Sequence, residues 1–275
     1  MDEKRIVVLD HGYVETVGAW GSEEQIIEAA RMSTGKGFLG WGPTLKCKTC
    51  SAKYDTQAGA DPCAMPTAGR EYKDVGRGNH VFENVPGDEK LLRFLWTNKH
   101  QTPFEMAGLT VEVQAPIFVF REWHRHRVPF GYNEMSARYT PLPDVNYIPS
   151  VERLMINAGT TNKQAGTIGG AAELTADQAE WFRADLSRSY EAAEKLYQRA
   201  LGAGVPKELA RVHLPVGRYS RMRATSNLRG WLGFLALRMA PGAQWEIRQY
   251  ANAVGLIVAD KFPRTWELFI EGSRG

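Results

Sequence analysis

The segment that most constrains the fold is an alternating run that leads directly into a helical pattern. From Leu109 to Gln114 apolar and polar residues alternate, which is typical of a β-strand with one buried face. Pro116 suits the first turn of a helix, because its missing N–H would have no partner there. Apolar residues then recur at helical spacing, so the basic run Arg121–Arg127 should lie near the helix C-terminus.

Other segments add a strand and several helices to this unit. Ile6–Leu9 is a short apolar run that predicts a strand, and polar capping residues precede two of the helical patterns. The mixture predicts one α/β (α+β mixed) domain over residues 1–275. The predicted helices run from Ser22 to about Met32, from Asp88 to Lys99, from Thr175 to about Ala203, from Glu208 to Leu214, from Ser226 to Met239 and from Ala243 to Ala259.

Charge and hydropathy exclude several classes of protein. Lys and Arg number 34 against 31 Asp and Glu, and this net charge of +3 is too small to predict a nucleic-acid partner. No apolar run approaches the roughly 18 residues of a membrane helix, and the charged start lacks a signal-peptide core. We therefore expect a soluble, cytoplasmic protein with no membrane partner.

Residues from about 40 to 80 differ in composition from the rest of the chain. Glycine, proline, lysine and threonine dominate, so this segment predicts an irregular loop insertion. It holds all three cysteines, Cys47, Cys50 and Cys63, a distribution that argues against a disulfide framework. The spacing of Cys47 and Cys50 leaves open a structural zinc site, with Cys63 and His80 as further ligands, but the remaining spacing is irregular and we expect no metal.

The densest polar cluster lies between Arg125 and Tyr139. Three basic side chains, Arg125, His126 and Arg127, are followed within a few residues by more polar and charged groups. Burying such groups without partners is costly, so they should meet solvent, one another or an anionic ligand. Arginines are suited to a phosphate-bearing small molecule because the guanidinium group forms paired hydrogen bonds with phosphate oxygens.

This cluster resembles the signature of flavin-dependent thymidylate synthases. The similar residues are Arg125-His126-Arg127 and the later Asn133-Glu134-x-Ser136-x-Arg138-Tyr139. The resemblance implies that family's fold, a central sheet flanked by helices, in a homotetramer with active sites at subunit interfaces. Further similar segments are His100-x-Thr102-Pro-Phe-Glu105, Ala210-Arg211-x-x-Leu214-Pro215, Asn227-x-Arg229, Leu237-Arg238 and Ala243–Tyr250.

The resemblance also implies a reaction and a set of site residues. NADPH would reduce bound FAD, methylenetetrahydrofolate would supply the carbon, and dUMP would become dTMP, with tetrahydrofolate as the other product. Arg238 would be catalytic, because a guanidinium can stabilise negative charge on the uracil ring. The implied flavin contacts are Thr102, Arg125, His126, Arg127, Glu134, Asn227 and Arg229. The implied nucleotide contacts are Glu122, Arg125, Glu134, Met135, Ser136, Ala137, Arg138, Arg211 and Arg238.

Three positions depart from the family pattern. Eight residues, Val128–Met135, separate Arg127 from Ser136 where seven are usual, and Phe130 replaces a serine. Glu122 stands where related enzymes often carry glutamine, and Gly233 stands where an amide side chain often reaches the flavin. We expect a locally different turn between the flavin and nucleotide contacts, with Ser136 binding the nucleotide instead of attacking it.

Two other functions remain open at this stage. The extra motif residue and Glu122 would also suit a flavin- or nucleotide-binding protein without catalysis. A flavin-dependent uracil methylase acting on transfer RNA would need a broader basic surface than the net charge indicates. The thymidylate synthases that use a cysteine nucleophile are disfavoured, because every cysteine lies in the insertion.

Overall fold

The structure is a computed structural model that describes residues 5–42, 44–47, 53–55, 82–85, 87–156 and 174–273. The strands are β1 (Arg5–Val8), β2 (Gly12–Trp20), β3 (Thr44–Cys47), β4 (Lys53–Asp55), β5 (Phe82–Val85), β6 (Gly108–Pro116), β7 (Gly131–Glu134) and β8 (Tyr219–Asn227). The helices are α1 (Glu23–Arg31), α2 (Asp88–Thr97), α3 (Ile117–Trp123), α4 (Val151–Met155), α5 (Ala176–Gly202), α6 (Lys207–Ala210), α7 (Leu228–Arg238), α8 (Trp245–Lys261) and α9 (Pro263–Ser273). The mixed α and β class predicted from the sequence is confirmed.

The chain forms two compact units, each built from separate parts of the sequence. The first unit comprises Met1–Trp20 and Gly108–Pro263, and the second comprises Gly21–Ala107 and Arg264–Gly275. Within the described residues, no helix combines the length and apolar character needed to cross a bilayer.

The first unit is organised by an antiparallel sheet with strand order β1-β2-β6-β8-β7. Its centre is the long β6–β8 pair, which runs in register from Gly108 opposite Asn227 to Pro116 opposite Tyr219. The predicted alternation holds along β6, where Leu109 and every second residue after it are buried. This register places the end of β8 and the start of α7 beside the start of β6.

The buried face of this sheet packs against α7 and α8. Trp231 and Phe234 of α7 and Ile247 of α8 are fully buried, and the Trp231 indole N–H donates to the Leu109 carbonyl at 2.9 Å. A partner for the indole N–H allows tryptophan to be buried without an unsatisfied donor. Truncation of such a side chain to alanine costs about 3–5 kcal/mol. The sheet and α7 therefore form a rigid base for the polar residues at the end of that helix.

The second unit begins with α1, whose N-cap is Ser22 as the sequence predicted. The Ser22 hydroxyl accepts from the Gln25 backbone N–H at 3.3 Å. Glu23, in the first turn, is buried, and its carboxylate accepts from the backbone N–H groups of Arg264 at 3.3 Å and Thr265 at 2.6 Å. Hydrogen bonds from the first turn of α9 satisfy a charge that would otherwise be costly to bury.

The predicted irregular insertion contains regular backbone pairing. The described parts of this region form an antiparallel sheet with strand order β4-β3-β5, in which Thr44 pairs with both Asp55 and Val85. The strands have three or four residues, too few for an alternating pattern to stand out among glycine and proline. Cys50, Cys63 and His80 lie outside the described residues, and the described ranges contain no group of three His, Cys, Asp or Glu residues that could hold a metal.

Several predicted boundaries were also wrong. The helix predicted from Ser226 begins at Leu228, because Ser226 belongs to β8, a strand that the sequence analysis did not predict. The helix predicted for residues 208–214 is the single turn α6. The β8 sequence contains arginines and small polar residues but few large apolar ones. The alternation of apolar and polar residues by which a strand is predicted is therefore weak in β8.

Candidate active site

Arg238, the last residue of α7, is held by the end of α3. Its Nη1 donates to Glu122 Oε2 at 2.7 Å and its Nη2 donates to the Glu122 backbone carbonyl at 3.0 Å. Its Nε donates to His126 Nε2 at 2.9 Å. The Arg238 side chain is only 16% exposed, so three hydrogen bonds fix a largely buried guanidinium. An arginine has five N–H donors, and this arrangement leaves two for other partners.

The His126 ring is neutral in this environment. Burial is the larger cause and the Arg238 guanidinium the second, and together they lower the pKa of His126 to about 4, although Glu122 acts in the opposite direction. Phe234 packs edge-on against the ring, with 4.9 Å between centroids. Arg238 therefore faces a neutral ring on one side and a carboxylate on the other.

A tight turn links α3 to β7 and carries the basic triplet. The His126 N–H donates to the Trp123 carbonyl at 2.9 Å, which closes the turn at the helix end. Arg125 and Arg127 are exposed on the turn, while His126 is half-buried. The sequence expectation that the triplet lies at a helix terminus with charged groups free to meet a ligand is consistent with this placement.

Tyr132 of β7 hydrogen-bonds to two backbone carbonyls at this turn. Its hydroxyl lies 2.9 Å from the Trp123 carbonyl and 2.7 Å from the His126 carbonyl, and its single proton is shared between these acceptors. Burial raises the pKa of the Tyr132 hydroxyl, which therefore stays protonated as a donor. The sequence analysis did not identify Tyr132 as a functional residue. Its place inside the polar cluster was the available signal, because a buried tyrosine hydroxyl requires a partner.

Phe130, which lies in the longer motif segment, packs against two aromatic rings. Its ring stacks on Tyr132 at 5.6 Å between centroids and meets Trp231 edge-on at 4.9 Å. The neighbouring Pro129 packs on the first turn of α7, where a Cβ added to Gly230 would lie 2.8 Å from the proline ring. In this chain the eight-residue segment therefore packs on α7 through Phe130 and Pro129, while its difference from the family's turn stays a prediction.

Glu134 and the residues after it lie along β8. The Glu134 carboxyl is half-buried, and burial raises its pKa, while Ser220 and His124 oppose that shift. The Met135 backbone N–H donates to the Arg221 carbonyl at 2.8 Å, which extends the strand pairing by one residue. A carboxyl with a raised pKa beside a basic turn is a frequent feature of functional sites.

The other predicted nucleotide contacts lie in the following loop and in α6. Ser136 Oγ accepts from the Arg138 N–H at 3.3 Å, and Ala137 is buried. The exposed Arg138 side chain lies 3.5 Å from Glu208 of α6, and Arg211 is the C-cap of that helix. The structure therefore brings Arg138 near the helix that carries Arg211.

The predicted flavin contacts divide between the two units. Asn227 caps α7, and its side-chain oxygen accepts from the Gly230 N–H at 2.9 Å. Arg229 is exposed in the first turn of α7, and Gly233 faces open space on the same helix. Thr102 begins a 3₁₀ turn of the second unit, so its partnership with these residues stays a prediction.

The predicted site residues of the first unit combine exposed arginines with Arg238, whose guanidinium is fixed by hydrogen bonds. Exposed Arg125 and Arg127 can donate to phosphate groups, and the N-terminus of α7 adds a partial positive charge near Arg229. Arg238 is held in place, which suits the stabilisation of negative charge that develops on a bound molecule. This donor set fits the pyrophosphate of a dinucleotide cofactor and a nucleotide monophosphate.

Comparison with known proteins agrees with this geometry. The family model described as "Thymidylate synthase complementing protein" matches residues 16–264. A flavin-dependent thymidylate synthase of Thermotoga neapolitana is 32% identical over 268 residues, covering 97% of this chain and 94% of that protein. A Thermus thermophilus protein of the same name is 32% identical over 266 residues, covering 97% of this chain and 78% of that protein.

A solved structure is similar along nearly the whole chain. It is the crystal structure of the UMP/dUMP methylase PolB from Streptomyces cacaoi bound with 5-Br UMP. The TM-score is 0.69 at 28% sequence identity, and the match covers 98% of each chain. A second crystal structure of that methylase, bound with 5-Br dUMP, matches with the same TM-score at 27% identity.

Proposed function

Because the chain belongs to the flavin-dependent thymidylate synthase family, we propose that it converts dUMP to dTMP. In this proposal methylenetetrahydrofolate supplies the carbon, NADPH supplies the reducing equivalents, and tetrahydrofolate is the second product. Bound FAD would carry the hydride that completes the methyl group.

The observation that carries the proposal is the fixed guanidinium of Arg238. Addition of a one-carbon unit to uracil requires negative charge on the pyrimidine ring, and a nearby cation stabilises that charge. Arg238 has two N–H groups left for the ring, since three of its five donors bind Glu122 and His126. A donor held before the reaction needs no reorganisation in the transition state, so Arg238 is the proposed catalytic residue.

Activation of the ring in this way requires no protein thiol. The cysteines are Cys47, Cys50 and Cys63, and all lie in the segment of about residues 40–80, outside the motifs that resemble the family's binding segments. The proposal therefore assigns activation of the pyrimidine to the charge of Arg238 and not to covalent attack by a thiol.

The remaining residues would bind and orient the two nucleotides. FAD would be held by Arg125, His126, Arg127, Glu134, Asn227 and Arg229 of the first unit and by Thr102 of the second, with the arginines on the pyrophosphate. The dUMP phosphate would meet Arg125, Arg138 and Arg211. Glu122, Glu134, Met135, Ser136 and Ala137 complete the proposed nucleotide contacts beside Arg238.

We propose a homotetramer in the cytoplasm, with folate binding beside the nucleotides. In this proposal the active sites lie at subunit interfaces and combine residues of several subunits, as the family resemblance implies. Size-exclusion chromatography with light scattering would measure the assembly directly, and a monomer that retains full turnover would contradict it.

Two measurements test the function. Purified protein loaded with FAD should show a visible flavin spectrum that NADPH bleaches without oxygen. It should also release tritium from dUMP labelled at C5 and form dTMP only when methylenetetrahydrofolate and NADPH are both present. Flavin reduction without dTMP would instead support the binding-protein alternative. UMP should be assayed in parallel, because the similar solved structures belong to a UMP/dUMP methylase.

A further inference from the structure

The contact between Arg238 and His126 determines which nitrogen of the imidazole carries a proton. Arg238 Nε is a donor without acceptor capacity, and it lies 2.9 Å from His126 Nε2. His126 Nε2 must therefore present a lone pair. We propose that Arg238, in addition to its proposed catalytic role, holds His126 as the neutral tautomer with its proton on Nδ1, so that His126 offers a ligand an N–H donor.

Glu122 keeps Arg238 in the position that this role requires. The carboxylate and the backbone carbonyl of the same residue bind the two terminal nitrogens, which leaves Nε directed at His126. Such a charge-assisted hydrogen bond is stronger than a bond between neutral groups. The glutamate at this position therefore has a role in the ligand-free protein that differs from contact with a nucleotide.

The other neighbours of the ring do not compete for its nitrogens. The charged groups that face it are Arg238 from α7 and Glu122 from α3. Phe130 of the turn and Phe234 of α7 present their rings, at 6.1 Å and 4.9 Å between centroids. From β7, Tyr132 bonds to the His126 backbone carbonyl and not to the imidazole.

The remaining nitrogen, Nδ1, makes no hydrogen bond with any residue in the described part of the chain. With its proton in place, it is a neutral donor in a half-buried position. A neutral N–H donor can bond to a carbonyl or ring-nitrogen acceptor without bringing a charge to it. The positive charges of this segment belong to Arg125 and Arg127, the residues before and after His126 in the sequence. That the Nδ1–H group of His126 donates to bound FAD or dUMP rests on the proposed function, whereas the tautomer of His126 does not.

Nitrogen NMR of the full-length protein tests the tautomer directly. Protein labelled with ¹⁵N in histidine has distinct shifts for a nitrogen with a proton and one with a lone pair. His126, assigned by the loss of its signals in His126→Gln, should show a protonated Nδ1 and a bare Nε2 at pH 7, stable in acid until about pH 4. A bare Nδ1, or rapid exchange between both tautomers, would overturn the proposal.

Variants separate the role of Arg238 from general packing. Arg238→Met should give mixed tautomers and raise the pKa of His126 toward the ordinary histidine value, because its donor and its nearest cation are lost. Arg248→Met, which removes a guanidinium that donates to the Pro241 carbonyl at 3.3 Å, should leave the His126 signals unchanged. Unchanged signals in Arg238→Met would also contradict the proposal.

A third variant covers the case in which Arg238→Met fails to fold. Glu122→Gln keeps an oxygen acceptor for Arg238, so the Nδ1–H tautomer should persist while the pKa of His126 falls, since Glu122 now raises it. A rise in that pKa would refute the arrangement. These measurements need no substrate, so a protein that shows the tautomer but makes no dTMP would refute the proposed function alone.

Discussion

Replacement of Tyr132 by phenylalanine removes a single hydroxyl and leaves its ring stacked on Phe130. The hydroxyl lies between the carbonyls of Trp123 and His126, so the change releases one connection between β7 and the basic turn. The Trp123 carbonyl keeps its bond from the His126 N–H at 2.9 Å, so among the described residues the His126 carbonyl alone loses its donor. The loss of stability should therefore be that of one hydrogen bond, about 1 kcal/mol.

This loss should appear in two assays of different sensitivity. For a chain of this size, about 1 kcal/mol lowers the melting temperature by ~2–4 °C. If the same free energy is lost from the arrangement of Arg125 and Arg127, the dissociation constant of FAD rises about fivefold. Differential scanning calorimetry measures the first effect, and quenching of flavin fluorescence on titration measures the second.

The matched control is Tyr13→Phe. The Tyr13 hydroxyl donates to Glu112 Oε1 at 2.9 Å on a part of the sheet that carries none of the proposed contacts. It should lower the melting temperature by a similar amount and leave FAD affinity unchanged. If Tyr132→Phe binds FAD as tightly as the natural protein, or if Tyr13→Phe weakens binding equally, the positioning role of Tyr132 is refuted.

Three further predictions concern the same unit. Arg238→Ala should lower kcat by about 10²-fold or more while the protein stays yellow with bound FAD, as measured by tritium release and absorbance; undiminished turnover would remove Arg238 from the mechanism. Gly230→Ala should lower stability by about 1–3 kcal/mol because its Cβ would meet the Ser226 hydroxyl oxygen first and then Pro129 at 2.8 Å, whereas Gly233→Ala, which faces open space, should not destabilise the helix; equal urea midpoints would contradict this. Burial raises the pKa of Glu134 in the folded protein, so ionisation of this carboxyl lowers stability as the pH rises from its pKa in the unfolded chain through its pKa in the folded protein. Glu134→Gln should therefore melt at a higher temperature than the natural protein at pH 7 and at a similar temperature near pH 4. The opposite order of melting temperatures would show that a favourable partner of the carboxylate outweighs its burial.

Local signals in the sequence predicted some elements well and others poorly. The helix α5 was predicted because Thr175 and Gln178 form a capping box, and the structure contains both of its hydrogen bonds. The strand β7 has four residues, and β8 carries arginine at alternate positions, so neither provides the apolar periodicity from which a strand is inferred. These strands are instead stabilised by pairing, β8 with β6 and β7 with β8.

In the site, too, residues that are neighbours in the sequence could be predicted, whereas contacts between residues distant in the sequence could not. The triplet from Arg125 to Arg127 was evident because its residues are consecutive. The hydrogen bonds of Arg238 join residues 112 and 116 positions apart, so no spacing rule connects them. The contact of Phe130 with Tyr132 and Trp231 likewise depends on where β7 and α7 meet.

The buried Glu23 carboxylate also bears on how the protein is made. It bonds to the backbone of Arg264 and Thr265, near the end of the chain, so its partners are synthesised more than 150 residues after Ala107 completes the first segment of that unit. At ~5–20 residues per second, the ribosome needs on the order of ten seconds or more to supply them. During that interval the nascent α1 carries a carboxylate without its backbone donors, and the second unit is completed only after residues 264 and 265 have left the ribosome.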